Sequence, residues 1–449
     1  MTRLYTQAQL DEIARPYESL AIDALREGDL ATVSELLDRM GTAHAGLDAL
    51  CGHALARKVG KLRQDFGEEK TLAALARIGT QVMRTWVDEF EAGREREAIE
   101  ALIAVFKQQV GAGVVPVGES DDEVIVDLAP CGSGGRFERA GATTKYPTWY
   151  ADWSDGVSSF CQLCKASQRA LNAAVGEDVW TTEKGPDGFC RQRYRKTAHR
   201  GEKLFAPGEL ALACKTRAQL ASERLAAGDH DIETLLDGQR FDWKPWHDLS
   251  ICLLECFYAT ALELGGPDYL SEMLAQTYEP AFVAGFPRYA AMTDDELVRV
   301  TAATWNYHCA DFTLTEEDDR FVVRLDPCGS GGRLFRGQAW RDMFHYGDPL
   351  APLMPEPHPI NFNRSNAPTY CTHCAASNRA QFNGGPLFFV IDGHAQKEPG
   401  MPCRQYTYKT TARREDVDPS LLRQVGLERV APLALATRAP KAAAPGSKA

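Results

Sequence analysis

Two sets of four cysteines stand in the same order along this chain. Cys131, Cys161, Cys164 and Cys190 form the first, and Cys328, Cys371, Cys374 and Cys403 the second. In each set a C-x-x-C pair can grip one ion from one side, and two distant cysteines can close a tetrahedron of sulfur, the arrangement zinc prefers. Zinc at two sites is the expected cofactor, with an iron–sulfur cluster as the alternative for four thiolates. The spacing is not the tight multi-cysteine run of a ferredoxin, which favours zinc. A redox dithiol at each C-x-x-C ranks lower, because four cysteines recur rather than two. The competing reading is a group of unmetallated buried thiols, cysteine being among the most buried residue types.

The first cysteine of each set opens the turn P-C-G-S-G-G-R, ending in Arg136 or Arg333. Consecutive glycines allow backbone N–H groups to converge, either as an anion-binding nest or as donors to a metal-bound sulfur. The second use is favoured, although Cys131 or Cys328 at such a turn could also act as a nucleophile. Arg169 with Arg379, and Arg191 with Arg404, recur in register. Arg333, Arg379 and Arg404 are the candidate clamp for a carboxylate or phosphate, against the commoner reading of solvated or salt-bridged arginines.

Histidine separates the halves. None lies between His53 and His199, whereas the second module and its approach hold His308, His345, His358, His373 and His394. Asp326 precedes the second turn where the first has Ala129. Histidine is the usual general acid or base near neutral pH. Chemistry is therefore expected in the second half, with His308, Asp326 and His373 as the candidate catalytic residues. His247 and Asp248, followed by Cys252 and Cys256, add polar groups at helical spacing.

The elements that must position these residues also recur. VDLAPCGSGGRF returns as VRLDPCGSGGRLF, FCQLCKASQRA as YCTHCAASNRA, and CRQRYRK as CRQYTYK. Three blocks in one order indicate a tandem duplication. A longer second copy places an insertion near Met343 to His358. Apolar positions three and four apart predict helices over 17–110 and 207–306, each followed by a strand entering the cysteine turn, a short helix after the C-x-x-C and a final strand. The expected fold class is α+β: repeats at 1–200 and 207–430, each a helical layer followed by a cysteine module, at 122–196 and 319–409. Residues 436–449 read as a low-complexity disordered tail.

The 449 residues carry 44% hydrophobic and 25% charged residues, ordinary for a globular protein of more than one domain. A formal net charge of −12 argues against a general nucleic-acid partner. No uninterrupted apolar run is long enough to span a membrane, since Glu255 and Glu263 break the stretch from Leu249 to Leu264. The N-terminus lacks the apolar block of a secretory signal. A cytoplasmic protein is expected, its thirteen cysteines reduced.

Several features resemble the family of L-2-amino-thiazoline-4-carboxylic acid hydrolase-like proteins. They are the F-G-E-E turn from Phe66 to Glu69, the strand entering a cysteine turn, and a last strand with Cys190 near Tyr194, or Cys403 near Tyr406 and Tyr408. The resemblance implies hydrolysis of a C–N or C–S bond in a small cyclic substrate. The C-x-x-C and CGSGGR segments depart from that pattern. The functional expectation is thus a two-site metalloprotein acting as a hydrolase or lyase on a small organic acid, with non-catalytic zinc scaffolds and redox proteins as the alternatives.

Overall fold

A computed structural model describes residues 3–150, 153–395 and 401–433. The expected tail at 436–449 lies outside the described residues. The protein is mixed helix and sheet, as the α+β class requires.

The first half begins with α1 (Gln7–Ala14) and α2 (Tyr17–Glu27). Gly28, at φ 79°, ends α2 in the left-handed conformation that costs glycine little, and the Asp29 side chain accepts from Thr32 N–H to start the next helix. That helix, α3 (Leu30–Glu91), is the longest in the chain and is broken once, at Gly67 with φ 82°. It leads through α4 (Glu95–Lys107) to β1 (Val114–Glu119) and β2 (Glu123–Leu128). Short helices α5 (Gly134–Arg139), α6 (Ala142–Lys145) and α7 (Pro147–Tyr150) follow. The half closes with α8 (Ser159–Val175), β3 (Trp180–Lys184) and β4 (Cys190–Arg195).

The second half begins with α9 (Glu209–Ala213) and α10 (Arg217–Ala226), and continues with α11 (Glu233–Thr277), broken at Gly266 with φ 73°. Next come α12 (Glu279–Val283), α13 (Phe286–Ala290), α14 (Asp294–Tyr307), β5 (Phe312–Glu316), β6 (Arg320–Leu325) and α15 (Gly331–Phe335). The segment between α15 and the C-x-x-C holds a small ribbon, β7 (Leu353–Met354) with β8 (Ala367–Pro368), in the region expected to carry the insertion. Then follow α16 (Thr372–Phe382), β9 (Val390–Asp392), β10 (Cys403–Tyr408) and α17 (Pro419–Gln424).

The two main sheets share one antiparallel topology, β1-β2-β4-β3 and β5-β6-β10-β9. Register agrees as well: Leu128 faces Cys190, and Leu325 faces Cys403. Helices of both halves build a single apolar core, in which Leu55, Val59 and Ile78 meet Ile251, Phe257 and Leu274. A separate core lies between the second sheet and α1. Among the described residues one helical stretch, Glu233–Val283, is long and apolar enough to cross a membrane, and 67% of its most apolar window is buried within the protein.

Two chain segments cross over between the halves. Glu119, at the end of β1, binds the buried Lys196 Nζ at 2.6 Å and accepts the N–H groups of Leu204 and Phe205, which lead into α9. Glu316, at the end of β5, binds the buried Lys409 Nζ at 2.6 Å and accepts the N–H groups of Leu4 and Tyr5, which lead into α1. Thus α1 packs on β5 of the second half, and α9 packs on β1 of the first.

Candidate functional site

Each cysteine set sits where a sheet meets the helical layer. The first cysteine follows β2 or β6 after a cis proline, Pro130 or Pro327. The C-x-x-C pair lies at the start of a helix rather than before it: Cys161 and Cys164 occupy the first turns of α8, and Cys371 caps α16 while Cys374 lies within it. A separation of three along a helix places both sulfurs on one face. The fourth cysteine begins the last strand.

In both modules the four side chains line one cavity. The Cys190 thiol feels the charges of Cys131, Cys161 and Cys164, and the Cys374 thiol those of Cys371, Cys403 and Cys328. A hydrogen bond between Cys131 and Cys190 splits that pair, lowering Cys131 and raising Cys190. Burial raises the other six thiols. The glycine turn serves the sulfurs directly, since Gly332 N–H donates to Cys328 Sγ at 2.9 Å. Among the described residues no three His, Cys, Asp or Glu side chains converge closely enough to hold a metal ion as they stand.

At several of its glycines the turn has no room for a Cβ. A Cβ at Gly134 would lie 2.5 Å from Cys161 Sγ, one at Gly135 2.3 Å from Gly188 O, and one at Gly329 1.6 Å from His308 O. Gly329→Ala must therefore push α14 away from the turn. The expected cost is about 2 kcal/mol or more, the range of overpacked core sites. Thermal unfolding checks this, and a melting temperature within a degree of the parent would refute the close approach.

Each turn arginine is tied to a buried aspartate of the long helix. Arg136 Nη1 donates to Asp48 Oδ2 at 2.7 Å, and Trp246 Nε1 donates to Asp48 Oδ1 at 2.7 Å. Arg333 grips Asp248 with both terminal nitrogens at 2.7 Å, and Trp340 N–H donates to the same carboxylate. His247 Nδ1 lies 2.8 Å from Asp248 Oδ1, and His247 Nε2 lies 3.2 Å from His308 Nδ1. The result is a buried chain, Arg333–Asp248–His247–His308, ending at the wall of the second cysteine cavity. Burial would raise Asp248, but its bonds to His247 and Arg333 outweigh that and hold it below the usual carboxylate range. Burial lowers both histidines, so each is neutral near pH 7.

Of the residues singled out from sequence, His308 and His373 share the second cavity with its four cysteines. His373 Nδ1 bonds Tyr370 O at 2.6 Å, and its Nε2 lies 3.4 Å from Cys374 Sγ. The others are elsewhere. Asp326 is solvent-facing and pairs with Arg336. Arg333 is consumed by Asp248, Arg379 pairs with Glu279 at 2.7 Å, and Arg404 is exposed on β10. No arginine clamp forms among these three. The partnership of Asp48 with Arg136 escaped the sequence reading. Its signal was an acid in each long helix, Asp48 and Asp248, flanked by apolar positions.

The cavities differ in size. The second has a volume of about 40 Å³, and Trp305, Phe362 and Phe389 line it beside the cysteines. The first measures about 320 Å³ and is walled by Trp86, Phe106 and Trp180 of the first half and by Trp246, Leu249 and Leu253 of α11. No protein-family model, no curated protein and no solved structure matches this chain.

Proposed function

We propose that the chain is a duplicated zinc–thiolate protein, with Cys131, Cys161, Cys164 and Cys190 as one ligand set and Cys328, Cys371, Cys374 and Cys403 as the other. The observation that carries this reading is the gathering of four sulfurs around one cavity in each half, with a turn N–H aimed at Cys328 Sγ. The sulfurs must draw closer together when the ion enters. A zinc ion held by four thiolates has no open position, so each site would order its module rather than react. Duplication is supported by the shared strand order, the matching Gly67 and Gly266 breaks, and the recurrent aspartate–arginine pairs.

An enzymatic reading, a hydrolase or lyase, is favoured by the buried histidine chain. A carboxylate that orients one imidazole, which contacts a second at a cavity wall, is the arrangement that fixes tautomers for proton transfer or for metal ligation. The three arginines are engaged elsewhere, so recognition of an organic acid by them is not part of this proposal.

Metal content decides the first reading. Protein purified under reducing conditions should carry two zinc ions per chain by elemental analysis, and Cys374→Ser should leave one. A colourless protein with no bound metal would defeat it. A brown protein containing iron and sulfide would replace zinc by clusters.

A further inference from the structure

We propose that the first cysteine module also holds a neutral aromatic small molecule, seated between its sulfurs and α11. The cavity of about 320 Å³ lies at the lower end of the range of small-molecule sites. Part of its polar wall is self-satisfied, since Gln168 donates to Thr182, while Thr182 and the Trp180 indole N–H both donate to Gln192 Oε1. The Trp86 indole Nε1 and Gln109 Oε1 are buried without a partner, one donor and one acceptor open to an uncharged polar group. At its rim Lys165 is bound to Asp155 at 2.6 Å, and Lys184 lies 3.4 Å from Glu138. Neither lysine of that wall is left unpaired to balance an anionic ligand, and the remaining lining is mostly aromatic, aliphatic and sulfur.

The second module shows what chemistry such a space accepts. There Phe362 lies against the corresponding cysteines, 2% exposed, with its carbonyl held by His394 Nε2 at 2.8 Å. Gly393 makes room for that ring, since a Cβ there would stand 2.3 Å from it. Phe362 also sits at φ 63°, a left-handed conformation that a bulky residue adopts only when packing imposes it. It is carried by the longer segment between the glycine turn and the C-x-x-C. The first module has a shorter segment there, of which Val157 and Phe160 are the described residues that line its cavity. The second module closes on the Phe362 ring to about 40 Å³, whereas the first keeps about 320 Å³ for a ligand. The inference rests on the cavity, not on whether metal is bound.

The test titrates the full-length protein, as purified and after metal removal, with the neutral fluorophore N-phenyl-1-naphthylamine. One saturable site per chain is expected, with tryptophan emission transferred to the probe. The anionic 8-anilinonaphthalene-1-sulfonate should bind at least tenfold more weakly. Leu253→Trp, which fills the cavity from α11, should raise the Kd for the neutral probe at least tenfold with an unchanged circular dichroism spectrum. Should that variant fail to fold, the unaltered metal-stripped protein gives the second readout: saturating probe should slow iodoacetamide alkylation of Cys131 at least fivefold and leave Cys328 unaffected. Non-saturable binding, equal affinity for both probes, a folded Leu253→Trp variant with unchanged affinity, or no protection of Cys131 would each overturn the assignment. Binding retained by metal-stripped protein separates this result from the zinc proposal.

Discussion

Replacing Asp248 by alanine should lower the free energy of unfolding by about 3–5 kcal/mol, the loss typical of a broken buried ion pair. The side chain is fully buried and receives two bonds from Arg333, one from the Trp340 backbone and one from His247. Its removal strands the guanidinium of Arg333, itself 4% exposed, with only the carbonyls of Gly329 and Gln338 as acceptors. Most of the loss is the cost of leaving that cation unpaired, not the net worth of the pair. The double variant Asp248→Leu with Arg333→Met should consequently be more stable than Asp248→Ala alone. Urea titrations of the parent and both variants provide the comparison. A single variant within 1 kcal/mol of the parent would remove Asp248 from the centre of this network.

Acid should unfold the protein earlier than its carboxylates alone would dictate. Burial holds His44 down to about 4, lowers His247 and holds His308 well below the ordinary value. Unfolding exposes imidazoles that take up protons near pH 6.5. Between that pH and the folded values the unfolded chain binds protons that the folded one refuses, so stability falls as pH falls. Burial raises Glu255 and Asp48, which works in the opposite sense because the folded chain then holds the extra proton. The low pKa of Asp248 matters only further down, as pH passes below the ordinary carboxylate value toward its folded one. His53 and His373, which burial also holds down to about 4, join the three, and five such histidines less the two carboxylates leave a net difference of about three protons, a slope of roughly 4 kcal/mol per pH unit. Urea midpoints at pH 7, 6 and 5, followed by tryptophan fluorescence, measure it, and a flat profile over that interval would contradict the neutral buried histidines.

The cysteine sets could be read from sequence because residue type, order and flanking residues recur together. Helix and strand order followed from periodicity for the same reason, since each element declares its buried face locally. What sequence conceals is who meets whom. Arg333 looked available for a ligand because its partner lies in α11, and nothing near either residue announces the pairing. Asp326 neighbours the turn in sequence, yet it points outward to Arg336. The abundance of histidines drew attention to the second half, and His308 and His373 do gather there. The space large enough for a ligand, however, is at the first. A cavity is made of side chains that stop short, and its wall includes a helix from the other half of the chain, so no local pattern reports it.

The exchanged segments at Glu119 and Glu316 govern the order in which the molecule can be completed. During synthesis Leu4 and Tyr5 leave the ribosome long before β5 exists to receive them, so this early stretch must wait for one made about 300 residues later. The first sheet has a shorter delay, because residues 204–213 emerge soon after β4. A cut near residue 203 would leave two fragments, each carrying the closing piece of the other, and neither could finish its own edge without its counterpart.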